Sequence, residues 1–137
     1  MKLKFVDTNI FIRFLTKDDI SKAERCFALF QMANEKKTLL TTSESVLAEV
    51  VYILSSKNLY KLDPTSIYQL LLPVINIKGL KLSSKKVFKK ALEIYSEYNV
   101  DFEDTLSVAH MQSAGANEIF SYDKDFDRFD DISRLEP

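Results

Sequence analysis

Apolar and polar positions along this chain alternate between two periods: short β-branched and aromatic runs are each followed by longer stretches at helical spacing. The first run, Leu3-Lys4-Phe5-Val6-Asp7, predicts a central strand, and Thr8-Asn9 opens a helical stretch carrying Ile10, Phe11, Ile12, Phe14 and Leu15. Asp18 or Asp19 caps a second helix reaching to about Glu35, with Ala23, Phe27, Phe30 and Ala33 as its apolar stripe. Residues 38–41 predict a second strand, after which Thr42 or Ser43 caps a strongly apolar helix that contains Glu49. Asp63 and Pro64 have the residue types of an N-cap and a first helical position, and Pro73 should kink or end the helix they start. A short strand over 80–83 precedes a helix over 84–99 that turns Val87, Phe88, Ala91, Leu92 and Tyr95 inward and Lys85, Lys86, Lys89 and Lys90 outward. A further helix spans 105–114, closed by Gly115, and residues 118–122 form the last apolar run. Strands alternating with helices in this way predict an α/β protein, an α/β/α sandwich with a central, mostly parallel sheet. No repeat, low-complexity tract or linker interrupts the pattern, so residues 1–137 read as a single domain.

Composition adds few constraints. At 137 residues and 46% hydrophobic, the chain is long enough for one proper core and too short for two ordinary domains. The net charge of −1 advertises no bulk affinity for nucleic acid, yet bound divalent ions would reverse the sign locally in any cluster of carboxylates. A lone cysteine, Cys26, excludes an internal disulfide and fits a reducing compartment as an inert buried thiol. No apolar stretch reaches membrane-spanning length and no leader pattern precedes the first strand, so a cytoplasmic location is expected.

The informative residues are four acids scattered over the chain. Asp7 ends the first strand, at the carboxyl edge where open α/β sheets bind ligands. Glu49 is the one charge in the run from Ser45 to Ser56, with Val46 and Ile53 on its own helical face. On that pattern it is buried, and a buried carboxylate needs a cation or a metal. Asp104 lies at the mouth of the 105–114 helix, and Asp123 follows the run 118–122. Gathered at one sheet edge, the four would hold a hard cation such as Mg²⁺ or Mn²⁺, which can activate water against a phosphodiester. Each has a plainer reading. Asp7 can cap the Thr8 helix, Asp104 can be a first-turn acid behind an Asp101 N-cap, and Asp123 can start the turn before Phe126. Glu49 can pair with Arg13 or Arg25. These readings account for each acid separately, and not for their arrival at one edge.

With those residues in view, the chain resembles the PIN-domain ribonucleases, particularly the single-domain VapC-type toxins of toxin–antitoxin pairs. The resemblance rests on four stretches in the family's order: 5–11 (FVDTNIF), 43–50 (SESVLAEV), 102–109 (FEDTLSVA) and 121–126 (SYDKDF). Each is short, and their succession over essentially the whole chain is what makes the match specific. The resemblance implies a PIN-like fold and makes Asp7, Glu49, Asp104 and Asp123 the metal-binding, catalytic acids, with Asn9 and Ser121 orienting them. Ser121 stands where threonine is more usual, and Asp101 and Asp125 are neighbouring acids able to share or replace the fourth role. It also implies endonucleolytic cleavage of RNA with Mg²⁺ or Mn²⁺, assembly as a homodimer, and inhibition by a small protein antitoxin seated in the acidic groove.

Two outlying features stay open. The Lys85, Lys86, Lys89, Lys90 face is either a solvated helix face or a surface for RNA phosphates. Tyr52, Tyr95, Tyr98 and Tyr122 are either core-edge residues or stacking platforms, and the single histidine, His110, is expected to be packing. The alternative to a ribonuclease is a non-catalytic PIN-like module that binds RNA or protein. A phosphoacceptor domain would need an adjacent acid pair after the first strand, and an aspartyl phosphatase a second acid at the position of Asn9; the chain has neither.

Overall fold

The computed structural model describes residues 1–137. Local chemistry sets most element boundaries. β1 (Leu3–Phe5) leads through Val6 into α1 (Thr8–Thr16), whose first turn is capped by the Asp7 carboxylate accepting from the Thr8 amide at 2.8 Å. Asp19 caps α2 (Ile20–Asn34), Ser43 caps α3 (Glu44–Ser55), and Asp63 caps α4 (Pro64–Ile75) with Pro64 at its start. Pro73 lies in the last turn of α4, and the helix stops two residues later. α5 (Lys85–Glu97) and α6 (Phe102–Ala114) follow, the latter closed by Gly115 in the left-handed region at φ 76°.

Every strand pairing is parallel. β1, β2 (Leu39–Thr41) and β3 (Leu80–Lys81) form a three-stranded sheet in that order, with Phe5, Thr41 and Lys81 in one registered row. The ladder continues past β1 through the Val6 amide on the Thr41 carbonyl and the Thr42 hydroxyl on the Val6 carbonyl. β4 (Glu118–Phe120) pairs with β5 (Ser133–Leu135) as a second, separate ladder. Two expectations change here. β1 was read as central and is an edge strand with Leu3 and Phe5 exposed, because Val6, just beyond the strand, carries the burial. β5 was not foreseen, since Ser133-Arg134-Leu135 has too little apolar content to announce a strand.

One hydrophobic core draws on all six helices, with Phe11, Phe30, Leu40, Leu47, Leu54, Ile67, Leu71 and Phe88 among its buried members. Gly79 is required where the chain enters β3: a Cβ there would lie 2.3 Å from the Ala33 carbonyl oxygen at the end of α2. The stripe of α2 consists of Ala23, Cys26, Phe30 and Ala33, so Cys26 takes the place expected for Phe27. Phe27 is exposed and stacks on Phe14 instead, at 6.3 Å between ring centroids. Lys85 is the exception on the outward face of α5. Its ammonium donates to the carbonyls of Ile77 and Leu80, at 3.1 and 3.0 Å, and ties the turns flanking β3 to the helix start.

Candidate metal centre

The first turn of α6 is held from below. Phe102 is buried against Phe88 and Tyr95, with centroids at 5.3 and 5.5 Å, and the fully buried Thr105 returns its hydroxyl to the Phe102 carbonyl at 2.7 Å. Asp101 occupies the N-cap position with its backbone alone: its carbonyl accepts from the Asp104 and Thr105 amides and its side chain makes no capping bond. Asp104 is thereby half-buried on a rigid turn. Asp123 reaches it from the other side, at the head of a 3-10 turn (Lys124–Arg128) anchored by buried Phe126 and followed by buried Phe129. The Asp123 amide donates to the Ser121 hydroxyl at 3.0 Å, and its carboxylate accepts from the Asp125 amide at 2.9 Å. Ser121 thus ties down the start of this turn, and its own carbonyl accepts from Arg134.

Carboxylate oxygens of Asp104, Asp123 and Asp125 lie within 4.8 Å of one another. Neither Asp104 nor Asp123 has an ion-pair partner; Asp125 has Arg128 at 3.9 Å, and Arg134 is committed to Asp127 and Glu136. The Asp104 carboxyl is pushed above its ordinary value, first by burial and then by the charges of Asp123, Asp101, Asp125 and Glu103. Three oxygen donors of one sign with so little compensation suit a hard divalent cation, so the residues present fit such an ion.

Asp7 and Glu49 form a second set. They line a cleft of about 370 Å³ with Thr8, Asn9, Ile12 and Arg13. Thr8 joins them, its amide donating to Asp7 and its hydroxyl to Glu49 at 2.7 Å. Glu49 is exposed, a correction to the burial expected from its apolar helix. The buried stripe of α3 is Leu47, Val50, Val51 and Leu54, which leaves Ser45, Glu49 and Tyr52 on the opposite face. No arginine neutralises it: Arg13 pairs with Asp18 at 2.8 Å and Arg25 bonds Ser21.

Between the two sets lie Glu44 and Glu103, which the sequence pattern did not single out. Glu49 also lines a groove of about 470 Å³ between α3 and α6 with Glu44, Tyr52 and Glu103. Tyr52 and Glu103 in turn border a cleft of about 650 Å³ that contains Asp101 and Asp125. Carboxylates therefore border three neighbouring depressions that share lining residues, from Asp7 and Glu49 to Asp101 and Asp125; Asp104 and Asp123 line none of the three and are tied to them through Asp125. Glu103 sits next to Asp104 in sequence, the one signal that could have marked it. His110 is exposed and paired with Glu44 at 2.8 Å, not packed in the core as expected. Of the tyrosines, Tyr95 is buried, Tyr98 half-buried, and Tyr52 and Tyr122 exposed.

The model of the PIN domain matches residues 4–132, nearly the whole chain. The chain belongs to the PIN-domain family. Its α/β/α class and parallel strand pairing are those of a PIN fold. This PIN domain is 26% identical over 124 residues to a protein named VapC ribonuclease from Aquifex aeolicus (strain VF5), covering 90% of each chain. It is also similar to the crystal structure of Mycobacterium tuberculosis VapC20, a sarcin-ricin loop cleaving toxin, at 20% identity over 93% of this chain and 94% of that one. The TM-score of that superposition is 0.39. No helix of the PIN domain is long and apolar enough to cross a membrane.

Proposed function

We propose that this PIN domain is a metal-dependent endoribonuclease of the VapC toxin type, which hydrolyses RNA phosphodiesters with an activated water. The observation that carries the reading is the Asp104, Asp123, Asp125 group, three carboxylates within 4.8 Å on two rigidly anchored turns. The family membership and the relative named VapC ribonuclease support it. Asp104 and Asp123 would hold Mg²⁺ or Mn²⁺, with Asp125 and Asp101 as auxiliary acids and Asp7 and Glu49 completing the catalytic set across the linked clefts. When bound, such an ion lowers the pKa of water and offsets charge gathering on the phosphate oxygens. The chain's own residues do the positioning: Ser121 fixes the backbone of Asp123, Thr8 fixes Glu49 relative to Asp7, and Asn9 borders the cleft as a neutral polar group. The groove lined by Glu44, Glu49 and Glu103 suits a cationic side chain of a small antitoxin, since charge-assisted hydrogen bonds to carboxylates are strong. Homodimeric assembly and a cytoplasmic location complete the proposal.

The test is incubation of the purified protein with single-stranded RNA and Mg²⁺ or Mn²⁺. Cleavage should occur, stop on chelation, and be abolished by Asp7→Asn and by Asp104→Asn. RNA binding without turnover in the wild type would instead favour the non-catalytic binding module.

A further inference from the structure

A net charge of −1 conceals a strong segregation. From 64 to 92 the chain carries six lysines and no carboxylate, whereas from 93 to 137 it carries twelve carboxylates against three lysine or arginine residues. The segment covers α4, β3 and the first part of α5, and its lysines all follow α4. Two features indicate that these lysines are not placed for stability. On α5, Lys85, Lys86 and Lys89 occupy the N-terminal part and Glu93 and Glu97 the C-terminal part, with no acid in the first turn. That is the reverse of what the helix dipole favours. In addition, Lys78, Lys81, Lys86 and Lys89 have no ion-pair partner; of the six, only Lys90 has one, Glu93 at 3.7 Å. Lys85 is accounted for by its carbonyl bonds, and Lys81 and Lys89 both press on its charge after burial does, so these ammoniums crowd one another.

The face has a defined relation to the catalytic edge. Lys81 shares a registered row with Thr41 and Phe5, and Asp7 follows Phe5 by two residues. Two strand spacings put Lys81 about 10 Å from Phe5 along that row, at the same carboxyl edge of the sheet as Asp7.

We propose that Lys81, Lys86 and Lys89 form a track for the sugar-phosphate backbone of the RNA substrate, leading it along the sheet edge toward the Asp7 cleft. The assignment rests on the ribonuclease reading for the identity of the polyanion. Unpaired ammoniums set against the helix dipole become favourable once phosphates neutralise them, and the release of counterions makes such binding dependent on salt and independent of base sequence.

The experiment measures binding of a fluorescein-labelled single-stranded RNA by anisotropy between 50 and 300 mM KCl, in EDTA, for the wild type, Lys81→Gln/Lys86→Gln/Lys89→Gln and Lys81→Arg/Lys86→Arg/Lys89→Arg. Three lost phosphate contacts should reduce the slope of log K against log salt by about 2, at roughly 0.7 per contact for a single strand. The arginine variant should keep the wild-type slope, and both variants should melt close to the wild type, because Lys81 and Lys86 are exposed, Lys89 is half-buried and none of the three makes an ion pair. Unchanged slope and affinity in the glutamine variant, or a loss shared by the arginine variant, would overturn the track. Cleavage by the wild type in Mg²⁺ or Mn²⁺ is scored separately: its absence defeats the ribonuclease reading, whereas cleavage with an unaltered glutamine variant defeats the track alone.

Discussion

Asp104→Asn should make the metal-free protein more stable while abolishing its activity. Asp104 is half-buried and faces carboxylate oxygens of Asp123 and Asp125 within 4.8 Å. Two unit charges at that separation repel by about 1 kcal/mol at the dielectric constant of water and by about 3 to 4 kcal/mol at an effective value of 20. Asp123 is exposed, so solvent screening selects the lower end. Removing two such repulsions is then worth about 1 to 2 kcal/mol, or roughly 3 to 7 °C in melting temperature for a domain of this size. The sign follows from linkage. A carboxyl raised in the folded state holds its proton more tightly there, so its favourable contribution is complete below the unfolded carboxyl range and is lost as pH rises through the raised folded value. Thermal melts in EDTA should therefore coincide for wild type and variant near pH 3 and separate as the pH rises to 7.5, with the variant higher. Added salt should narrow the gap, and Mg²⁺ or Mn²⁺ should raise the wild type far more than the variant. An asparagine variant that melts at or below the wild type in EDTA at pH 7.5 would refute the claim that Asp104 is held against uncompensated like charge.

Other outcomes follow from single contacts. Asp7→Asn keeps an N-cap of equal quality for α1, so its melting temperature should stay within about 1 °C of the wild type while RNA cleavage falls at least a hundredfold; proportional loss of both would reduce Asp7 to a cap. Gly79→Ala forces a Cβ onto the Ala33 and Thr38 carbonyls, at 2.3 and 2.8 Å, and should cost on the order of 3 kcal/mol or more in urea denaturation, with little effect on cleavage by the protein that remains folded. Lys85→Met removes two hydrogen bonds from a charged donor and should lower stability by about 1 to 3 kcal/mol in the same assay; a neutral result would mean that water replaces the ammonium at the Ile77 and Leu80 carbonyls.

Much of the architecture was legible because it is local. Asp19, Ser43 and Asp63 before apolar periodic stretches, Pro64 at a helix start and Gly115 after a helix end act through their own φ/ψ preferences and neighbouring amides, so they marked helix boundaries to within a few residues. The errors fell where orientation about a helix axis or pairing between strands had to be known. Counting apolar residues around Glu49 suggested burial, but only packing chose Leu47, Val50, Val51 and Leu54 as the inner stripe and turned the carboxylate outward. The same holds for Phe27 against Cys26, and for Lys85, whose reach to two carbonyls depends on where β3 enters the fold.

The candidate site divides in the same way. Which residues carry carboxylates, and that they end strands or open helices, is a property of the chain alone: Asp7, Asp104 and Asp123 each occupy the local position their neighbours dictate. That Asp104 meets Asp123 and Asp125, that Thr8 bridges Asp7 to Glu49, and that Glu103 and Tyr52 connect the two sets were decided by tertiary structure. Local propensities act over a few residues, whereas bringing together carboxylates from separate elements needs the burial of a whole core to offset their repulsion.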